Sequence, residues 1–271
     1  MQRRHFLTST VLSSVALSTM RRRDLVTQEA SWAYDGAASI ARLGVLTPDF
    51  DPVPESELWA IAPRGVSIHS ARVPRAGGSG AGFVAAPYID DAVDRLVELA
   101  PRAILLGYTS SSYALGADAD ERVRERLQQR ARGIPFIFPS SVAIMALRAL
   151  RVQKVALVHP PWWTATANEQ GREYFTRAGF DVLYCARLSP ERAFTEVMAT
   201  EVFNFVTVNV PRGTEAVFIG GNGMRAIGAT RALEARLGLP ILTANQVLMW
   251  EALRRFGRTH LVTQYGRIFR Q

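Results

Sequence analysis

From residue 40 onward, short apolar runs alternate with amphipathic stretches at helical spacing, and this alternation constrains the fold more than any other feature. It is typical of a parallel sheet covered by helices, so the sequence predicts an α/β fold. The predicted strands are Leu43–Thr47, Val66–Ala71, Ala103–Tyr108, Phe136–Phe138, Val155–His159, Val182–Cys185, Ala216–Gly220 and Ile241–Thr243. The predicted helical stretches include Ile89–Leu99, Asp118–Arg130, Ser141–Leu150, Asn168–Ala178, Arg225–Leu237 and Gln246–Phe256.

An internal repeat divides this pattern in two. Residues Arg102–Thr109 align without a gap with Glu215–Asn222, and each segment is an apolar strand that ends in a glycine-containing turn. In this alignment Tyr108 corresponds to Gly221, and Thr109 to Asn222. Downstream, a Gly-x-Pro strand and an Ala-Leu-Arg helix recur in the same order, which favours two similar halves.

The repeat predicts domain boundaries and the place of a site. We expect a first α/β half over 39–150, a second over 151–245, and a C-terminal helix and tail over 246–271 that packs back on the first half. Ligands of open parallel sheets bind beyond the carboxyl ends of the strands. If the halves face each other about a pseudo-twofold axis, their equivalent turns converge on one anion in the cleft between them.

The N-terminal residues indicate where the protein is located in the cell rather than how it folds. Arg3-Arg4-His5-Phe6-Leu7 resembles a twin-arginine export signal, and Leu7–Leu17 has the length of its hydrophobic region. This favours a periplasmic protein. The alternative is a cytoplasmic protein that starts at Met20, with the three arginines behind it as a solvated tail. In either case, residues 1–38 stand outside the fold.

Composition excludes several classes of partner. The net charge is +8, but outside the N-terminal segment no run exceeds two basic residues, which indicates a solvated surface and no nucleic-acid partner. The longest apolar stretch, Thr8–Met20, is too short to span a membrane. A monomer and a homodimer are both compatible with the sequence.

Composition and spacing also limit cofactors and metals. Cys185 is the only cysteine, which rules out an internal disulfide, a CxxC redox pair and a thiolate zinc cluster. His69 and His260 have no partner at metal-ligand spacing. The glycine-rich segment Ala76–Phe83 lacks the GxGxxG spacing and predicts a mobile loop or lid. We therefore expect no metal and no cofactor.

Several segments resemble the aspartate/glutamate racemase superfamily, in its arylmalonate decarboxylase and maleate cis-trans isomerase branch. The resemblance covers roughly residues 41 to 271 and lies in the order and spacing of the segments. They are Leu43–Pro48, Leu105–Gly116, Val142–Leu157, Glu234–Pro240 and Tyr265–Phe269. The resemblance implies enzymes that act on small carboxylic acids without a cofactor. It also implies that Thr109, Ser110 and the backbone N–H groups of Gly221 and Asn222 hold a carboxylate or an enediolate.

The chain departs from this family at the reacting groups. Racemases and isomerases of the superfamily use two cysteines, one after each equivalent strand, and arylmalonate decarboxylases keep only the second. Here these positions are Tyr108 and Gly221. A tyrosine that the decarboxylases place after the strand equivalent to Val155–His159 is also missing, and Pro160-Pro161-Trp162-Trp163 stands there, which suggests an aromatic-lined pocket.

Two residues are candidates for proton transfer. His159 lies at the carboxyl end of a predicted strand, and its pKa near neutrality would suit this role, although a buried core histidine is commoner. Tyr108 is a weak acid and is more readily explained as a pocket-lining phenol.

The substrate-binding candidates are Pro48, Thr109, Ser110, Gly221, Asn222 and Trp162. Thr109 and Ser110 could instead cap a helix, and Asn222 could be a turn residue. Trp162 and Trp163 could gate the pocket or pack between the halves. Asp49 and Asp51 could supply a base or form a solvated turn. Cys185 is expected to be a buried strand residue.

Three functions are compatible with these residues. The first is a cofactor-independent decarboxylase or isomerase for a small carboxylic or dicarboxylic acid, in which the proton-transfer group is not cysteine. The second is a non-catalytic carboxylate-binding protein, which periplasmic export would favour. The third is a catalytically inactive paralogue that assembles with a partner.

Overall fold

Two separate parallel sheets organise the computed structural model, which describes residues 36, 38–74, 80–188 and 196–271. The first sheet has the order β2-β1-β3-β4 and the second β6-β5-β7-β8, so the halves share one topology. The predicted α/β fold with two similar halves is confirmed. The strands are β1 (Ala41–Pro48), β2 (Val66–Val73), β3 (Ala103–Leu106), β4 (Phe136–Ile137), β5 (Lys154–His159), β6 (Asp181–Arg187), β7 (Ala216–Ile219) and β8 (Ile241–Thr243).

Helices cover both sheets. They are α1 (Val53–Ile61), α2 (Gly80–Phe83), α3 (Tyr88–Val97), α4 (Ser110–Leu115), α5 (Ala117–Arg130), α6 (Pro139–Ala149), α7 (Ala165–Arg177), α8 (Ala199–Asn209), α9 (Ile227–Leu237) and α10 (Ala244–Arg255), followed by 3-10 turns at Thr259–Leu261 and Arg267–Arg270. Among the described residues, no helix is long and apolar enough to cross a membrane.

The core explains why the central strands are wholly apolar. Every residue of β3 and β7 is buried, because helices cover each sheet on both faces. One apolar cluster runs through both halves and includes Leu105 of β3, Phe218 of β7 and Leu248 of α10. Helix α10, whose first turn is closed by a capping box between Thr243 and Gln246, packs on α6 and α1 of the first half.

The two central strands end earlier than the sequence predicted. The strand predicted to reach Tyr108 stops at Leu106, and the one predicted to reach Gly220 stops at Ile219. In each half the next glycine still donates its N–H across the sheet, Gly107 to Leu46 at 2.7 Å and Gly220 to Val158 at 2.9 Å. The chain then leaves the sheet, so both turns begin from an equivalent backbone position.

Part of the predicted glycine-rich lid is helical instead. Gly80–Phe83 forms the short helix α2, which packs on α4. Glycine at position 80 permits this close packing, since a Cβ there would lie only 2.6 Å from the carbonyl oxygen of Ser110. Residues 75–79, which make up most of the rest of that segment, lie outside the described residues. The predicted export signal within residues 1–35 lies outside them as well.

Candidate active site

The turns after β3 and β7 meet at one cavity of about 650 Å³. Tyr108, Thr109 and Ser110 line it from the first half, and Gly221, Asn222 and Gly223 line it from the second. The rest of the wall includes Phe50, Asp51, Trp162, Trp163 and Gln170. The convergence that the repeat predicted is therefore present in the fold.

The turn after β3 presents hydroxyl groups. Thr109 does not cap helix α4, because its backbone is already helical and its side chain makes no capping hydrogen bond. Its hydroxyl instead donates to Oδ1 of Asn222 at 2.6 Å and joins the two halves. Ser110 is half-buried at the cavity wall. The ring of Tyr108 packs on Phe83 with 4.4 Å between ring centroids.

The turn after β7 presents backbone N–H groups. Gly221 has φ +88°, a conformation that side-chain-bearing residues rarely adopt. None of the described residues accepts a hydrogen bond from the N–H groups of Gly221, Asn222 and Gly223. Successive N–H groups in such a turn form a concave site for anions. The geometry of this turn therefore suits a carboxylate or an enediolate.

Gly221 is also in tight contact with the residue after β5. A Cβ built on Gly221 would lie 2.2 Å from Cγ and 2.7 Å from Cδ of Pro160. Real Cβ atoms do not approach other atoms this closely, so the space that a cysteine side chain would need at position 221 is filled by the proline ring. The position at which the resemblance places a second cysteine therefore has no room for that side chain in this fold.

Asp51 is a titratable group of the cavity wall that the sequence also allowed to be a solvated turn residue. The structure corrects that alternative, since Asp51 is only 3% exposed and accepts a hydrogen bond from the N–H of Val53 at 2.9 Å. Burial raises the pKa of this carboxyl group to about 6, against the lowering effects of the Val53 bond and the positive charge of Arg72. An acid with a pKa near 6 can exchange protons close to neutral pH.

Pro48 does not belong to the wall. It is the last residue of β1 and is buried, and its carbonyl oxygen accepts a hydrogen bond from the N–H of Asp51 at 3.1 Å. The residue predicted to bind substrate therefore shapes the turn that carries Asp51. Asp49, in the same turn, is exposed.

The structure places His159 behind the wall rather than on it. The imidazole is fully buried, stacks on Trp163 at 4.8 Å, and lies against Gly171 and Gly220, where a Cβ would approach the ring to 2.6 Å and 2.9 Å. Its Nδ1 is 2.9 Å from Oδ1 of Asn168, and the amide oxygen accepts a hydrogen bond from the tautomer that is protonated at Nδ1.

Burial lowers the pKa of His159 to about 4, which keeps the ring neutral at physiological pH. We therefore assign no proton transfer to His159, because the buried ring is not among the residues that line the cavity. Both Trp162 and Trp163 line the cavity, and Trp163 also covers the ring of His159.

Cys185 also lies away from the cavity wall. It is half-buried on β6, with Sγ 3.4 Å from the carbonyl oxygen of Asn168. Burial raises the pKa of its thiol to about 11, so it is not a reactive thiolate at neutral pH.

The two histidines for which the sequence predicted no metal-ligand partner lie away from the cavity wall. His69 bonds Ser67 at 2.8 Å, and His260 lies in a 3-10 turn. Within the described part of the chain, no group of three or more His, Cys, Asp or Glu side chains is placed to hold a metal ion.

Sequence reasoning missed Glu57 on α1. This carboxylate is 6% exposed and is connected to the cavity through Asn245 and Asn222. The available signal was an acidic residue at an apolar helix face, but helix α1 itself was not predicted.

Solved structures share this fold. The maleate isomerase Iso from Pseudomonas putida S16 gives a TM-score of 0.74 at 19% identity, over 84% of this chain and 97% of that one. The Nocardia farcinica maleate cis-trans isomerase bound to TRIS gives 0.75 at 23% identity, over 86% and 98%. Arylmalonate decarboxylase gives 0.69 at 20% identity, over 84% and 99%. At these identities the likeness shows the fold.

Sequence comparison gives a narrower result. No curated protein matches the chain. The model of the arylmalonate decarboxylase family matches residues 83–269, which is more than two thirds of the 271 residues and includes both strand-end turns. The chain therefore belongs to the arylmalonate decarboxylase family.

Proposed function

We propose that this protein is an enzyme that acts on a small carboxylic acid, as a decarboxylase or isomerase of the arylmalonate decarboxylase type, without a cofactor. The observation that carries the proposal is the run of three N–H groups at Gly221, Asn222 and Gly223, which have no acceptor among the described residues and belong to residues that line a cavity of about 650 Å³. The hydroxyl of Ser110 lies on the same wall.

These donors suit the charge that develops in a decarboxylation. When a malonate dianion loses CO2, the electrons of the breaking C–C bond move into the remaining carboxylate and form an enediolate with two negative oxygens. Preorganised N–H and O–H donors stabilise such oxygens more strongly in a water-poor cavity than water does. The turn after β7 would hold one oxygen and Ser110 the other.

Asp51 is the group that we assign to proton transfer. In its protonated form it donates a proton to the carbon of the enediolate, which becomes the product monocarboxylate, and the Asp51 carboxylate then takes a proton from water. The support is its place on the cavity wall and its raised pKa of about 6. The only cysteine, Cys185, lies elsewhere, so thiol addition to a double bond has no nucleophile here.

The test compares turnover and binding in wild type and Asp51→Asn. Wild type is expected to release CO2 from phenylmalonate or a related malonate, and in D2O the product should carry deuterium at the α-carbon. Asp51→Asn should lower kcat at least about 100-fold while binding of the acid persists. Asp49→Asn, an exposed neighbour in the same turn, is the matched control and should keep wild-type turnover.

The pH profile adds a second readout. If Asp51 donates a proton, kcat falls as pH rises through about 6, because the carboxyl group must be protonated to act. Tight binding of malonates and maleate without any turnover would favour a carboxylate-binding protein instead. Neither binding nor turnover with malonates, maleate and aspartate would refute the assignment to small acids.

A further inference from the structure

We propose that Glu57 is a positioning residue that fixes the direction of a buried hydrogen-bond chain, so that the hydroxyl proton of Thr109 is held on Asn222 and withheld from a bound carboxylate. The inference deepens the proposed function, on which its ligand measurements rest. It concerns which donors of the cavity wall are available to an anionic ligand.

The chain has three links between four side chains. Nδ2 of Asn245 donates to Oε2 of Glu57 at 2.8 Å, and Nδ2 of Asn222 donates to Oδ1 of Asn245 at 2.7 Å. The hydroxyl of Thr109 then donates to Oδ1 of Asn222 at 2.6 Å. All four residues are buried, so little of any of these side chains is open to solvent.

Backbone groups fix the direction of the chain at its inner end. The N–H groups of Ala226 and Ile227 donate to Oε1 of Glu57 at 2.8 Å and 3.1 Å. An ionised carboxylate can only accept hydrogen bonds, so Asn245 must turn its NH2 group toward Glu57. The same NH2 group donates to the carbonyl oxygen of Asn222 at 2.9 Å, which is a second reason for this orientation.

The direction then passes outward link by link. Because the side-chain oxygen of Asn245 is the acceptor that faces Asn222, Asn222 must donate to it from its NH2 group. The oxygen of Asn222 then points toward Thr109. A threonine hydroxyl has one proton, and that proton is used by Asn222. A ligand at the cavity floor meets the lone pairs of Thr109, which repel a carboxylate. Anion binding is therefore left to Ser110 and the N–H groups after β7.

The ionised state of Glu57 anchors this arrangement above neutral pH. Burial raises the pKa of Glu57 to about 7, against the lowering effects of Asn245, the two N–H groups at the start of α9 and the positive charge of Arg225. Among the described residues, these are the polar and charged groups that act on the carboxylate from the elements packed around it. At pH 8 both Glu57 and Asp51 are ionised, so measurements there isolate the direction of the chain.

Glu57→Gln is the variant that reverses the chain with almost no change in shape. The glutamine oxygen keeps the N–H bonds of α9, but its NH2 group now faces Asn245, which must turn over to accept it. Asn222 turns over in response and offers NH2 to the oxygen of Thr109. The hydroxyl proton of Thr109 is thereby released toward the cavity, at the loss of the bond from Asn245 to the Asn222 carbonyl.

Calorimetric titration with malonate and phenylmalonate at pH 8 tests the reversal. Glu57→Gln should bind these acids about tenfold more tightly than wild type, because one charge-assisted hydrogen bond is gained. The double variant Glu57→Gln/Thr109→Val should lose that gain. Loss of the negative charge of Glu57 also tightens binding of an anion by itself, so the double variant decides between the two causes. Equal or weaker affinity in folded Glu57→Gln, or a gain that survives Thr109→Val, overturns the proposal.

A neutron structure of the ligand-free wild type at pD 8 gives a reading that needs neither ligand nor variant. The Thr109 deuteron should lie between its oxygen and Oδ1 of Asn222, and a deuteron that points into the cavity would overturn the proposal. If wild type binds none of the acids, the proposed function fails while the neutron result still decides the role of Glu57. If Glu57→Gln does not fold, the neutron result decides it alone.

Discussion

The turns after β3 and β7 occupy equivalent places in the two halves and differ in chemistry. Both follow a buried strand and a glycine that closes the last rung of its sheet. The first turn presents side-chain hydroxyls and the ring of Tyr108. The second, with Gly221 at φ +88°, presents backbone N–H groups that have no acceptor within the described part of the chain. Duplication of a fold therefore preserves where the backbone turns, while the groups offered to a ligand diverge.

The two positions at which the resemblance places cysteines differ in the room they offer to a side chain. Tyr108 keeps an ordinary backbone conformation, and its side chain has room along Phe83. Gly221 has a left-handed conformation and a proline ring where Cβ would be. The first turn therefore has room for a cysteine at position 108, whereas the second turn resists one at position 221.

Gly221→Cys should have the largest effect on stability. Strain at positive φ and the contact with Pro160 together should lower the free energy of unfolding by about 4 kcal/mol, measured by chemical denaturation. The control is Gly238→Ala, which has φ +78° and open space around Cβ, and should lose only about 1 to 2 kcal/mol. Equal losses in the two variants would mean that Pro160 yields easily and that the turns are less different than they look.

Thr109→Val tests the bond that joins the turns. It leaves the buried Oδ1 of Asn222 without its donor, so the free energy of unfolding should fall by about 2 kcal/mol. Thr109→Ser keeps the hydroxyl and should fall by less than half as much. If the valine and serine variants have the same free energy of unfolding, the hydroxyl of Thr109 does not stabilise the contact between the two halves.

Tyr108→Cys should be tolerated. It removes the ring contact with Phe83 and should lower stability by about 1 kcal/mol. The new thiol lies on the cavity wall, so it should react with a small alkylating reagent faster than Cys185 does. Tyr108→Phe, which keeps the ring contact, is the control for stability. A loss as large as that of Gly221→Cys would erase the contrast between the turns.

Cys185→Ser should have the smallest effect, since this thiol belongs to neither turn. Its free energy of unfolding should change by about 0.5 kcal/mol or less, and turnover and acid binding should be unchanged. Because burial raises the pKa of the thiol to about 11, wild type should also resist alkylation at neutral pH. Loss of activity in a folded Cys185→Ser protein would move the site away from the two turns.

Most of the fold was readable from sequence because buried parallel strands have a strong signature. Strand β8 was predicted with its observed bounds, and the repeat correctly paired Tyr108 with Gly221. Helix α1 was missed because Pro52 precedes it, Pro54 lies in its first turn, and the stretch is only weakly amphipathic. Helix α8 was missed because valine and threonine, which favour strands, are frequent in it.

The site was less predictable, because side-chain burial depends on contacts distant in sequence. His159 at a strand end suggested a reacting group, but Gly171, twelve residues on, closes the space around its ring. Asp51 carried the signal of a turn, and its raised pKa arises from burial beneath the folded chain. Glu57 lies 188 residues from Asn245, and no local sequence pattern predicts that contact.

The proline against Gly221 couples two positions that are distant in the chain. A side chain at position 221 meets the proline ring at position 160 unless one of the two segments shifts. A substitution that adds a Cβ at position 221 is therefore expected to need a second substitution at position 160 before the turn after β7 can relax. The identity of residue 160 thus decides which side chains residue 221 can carry.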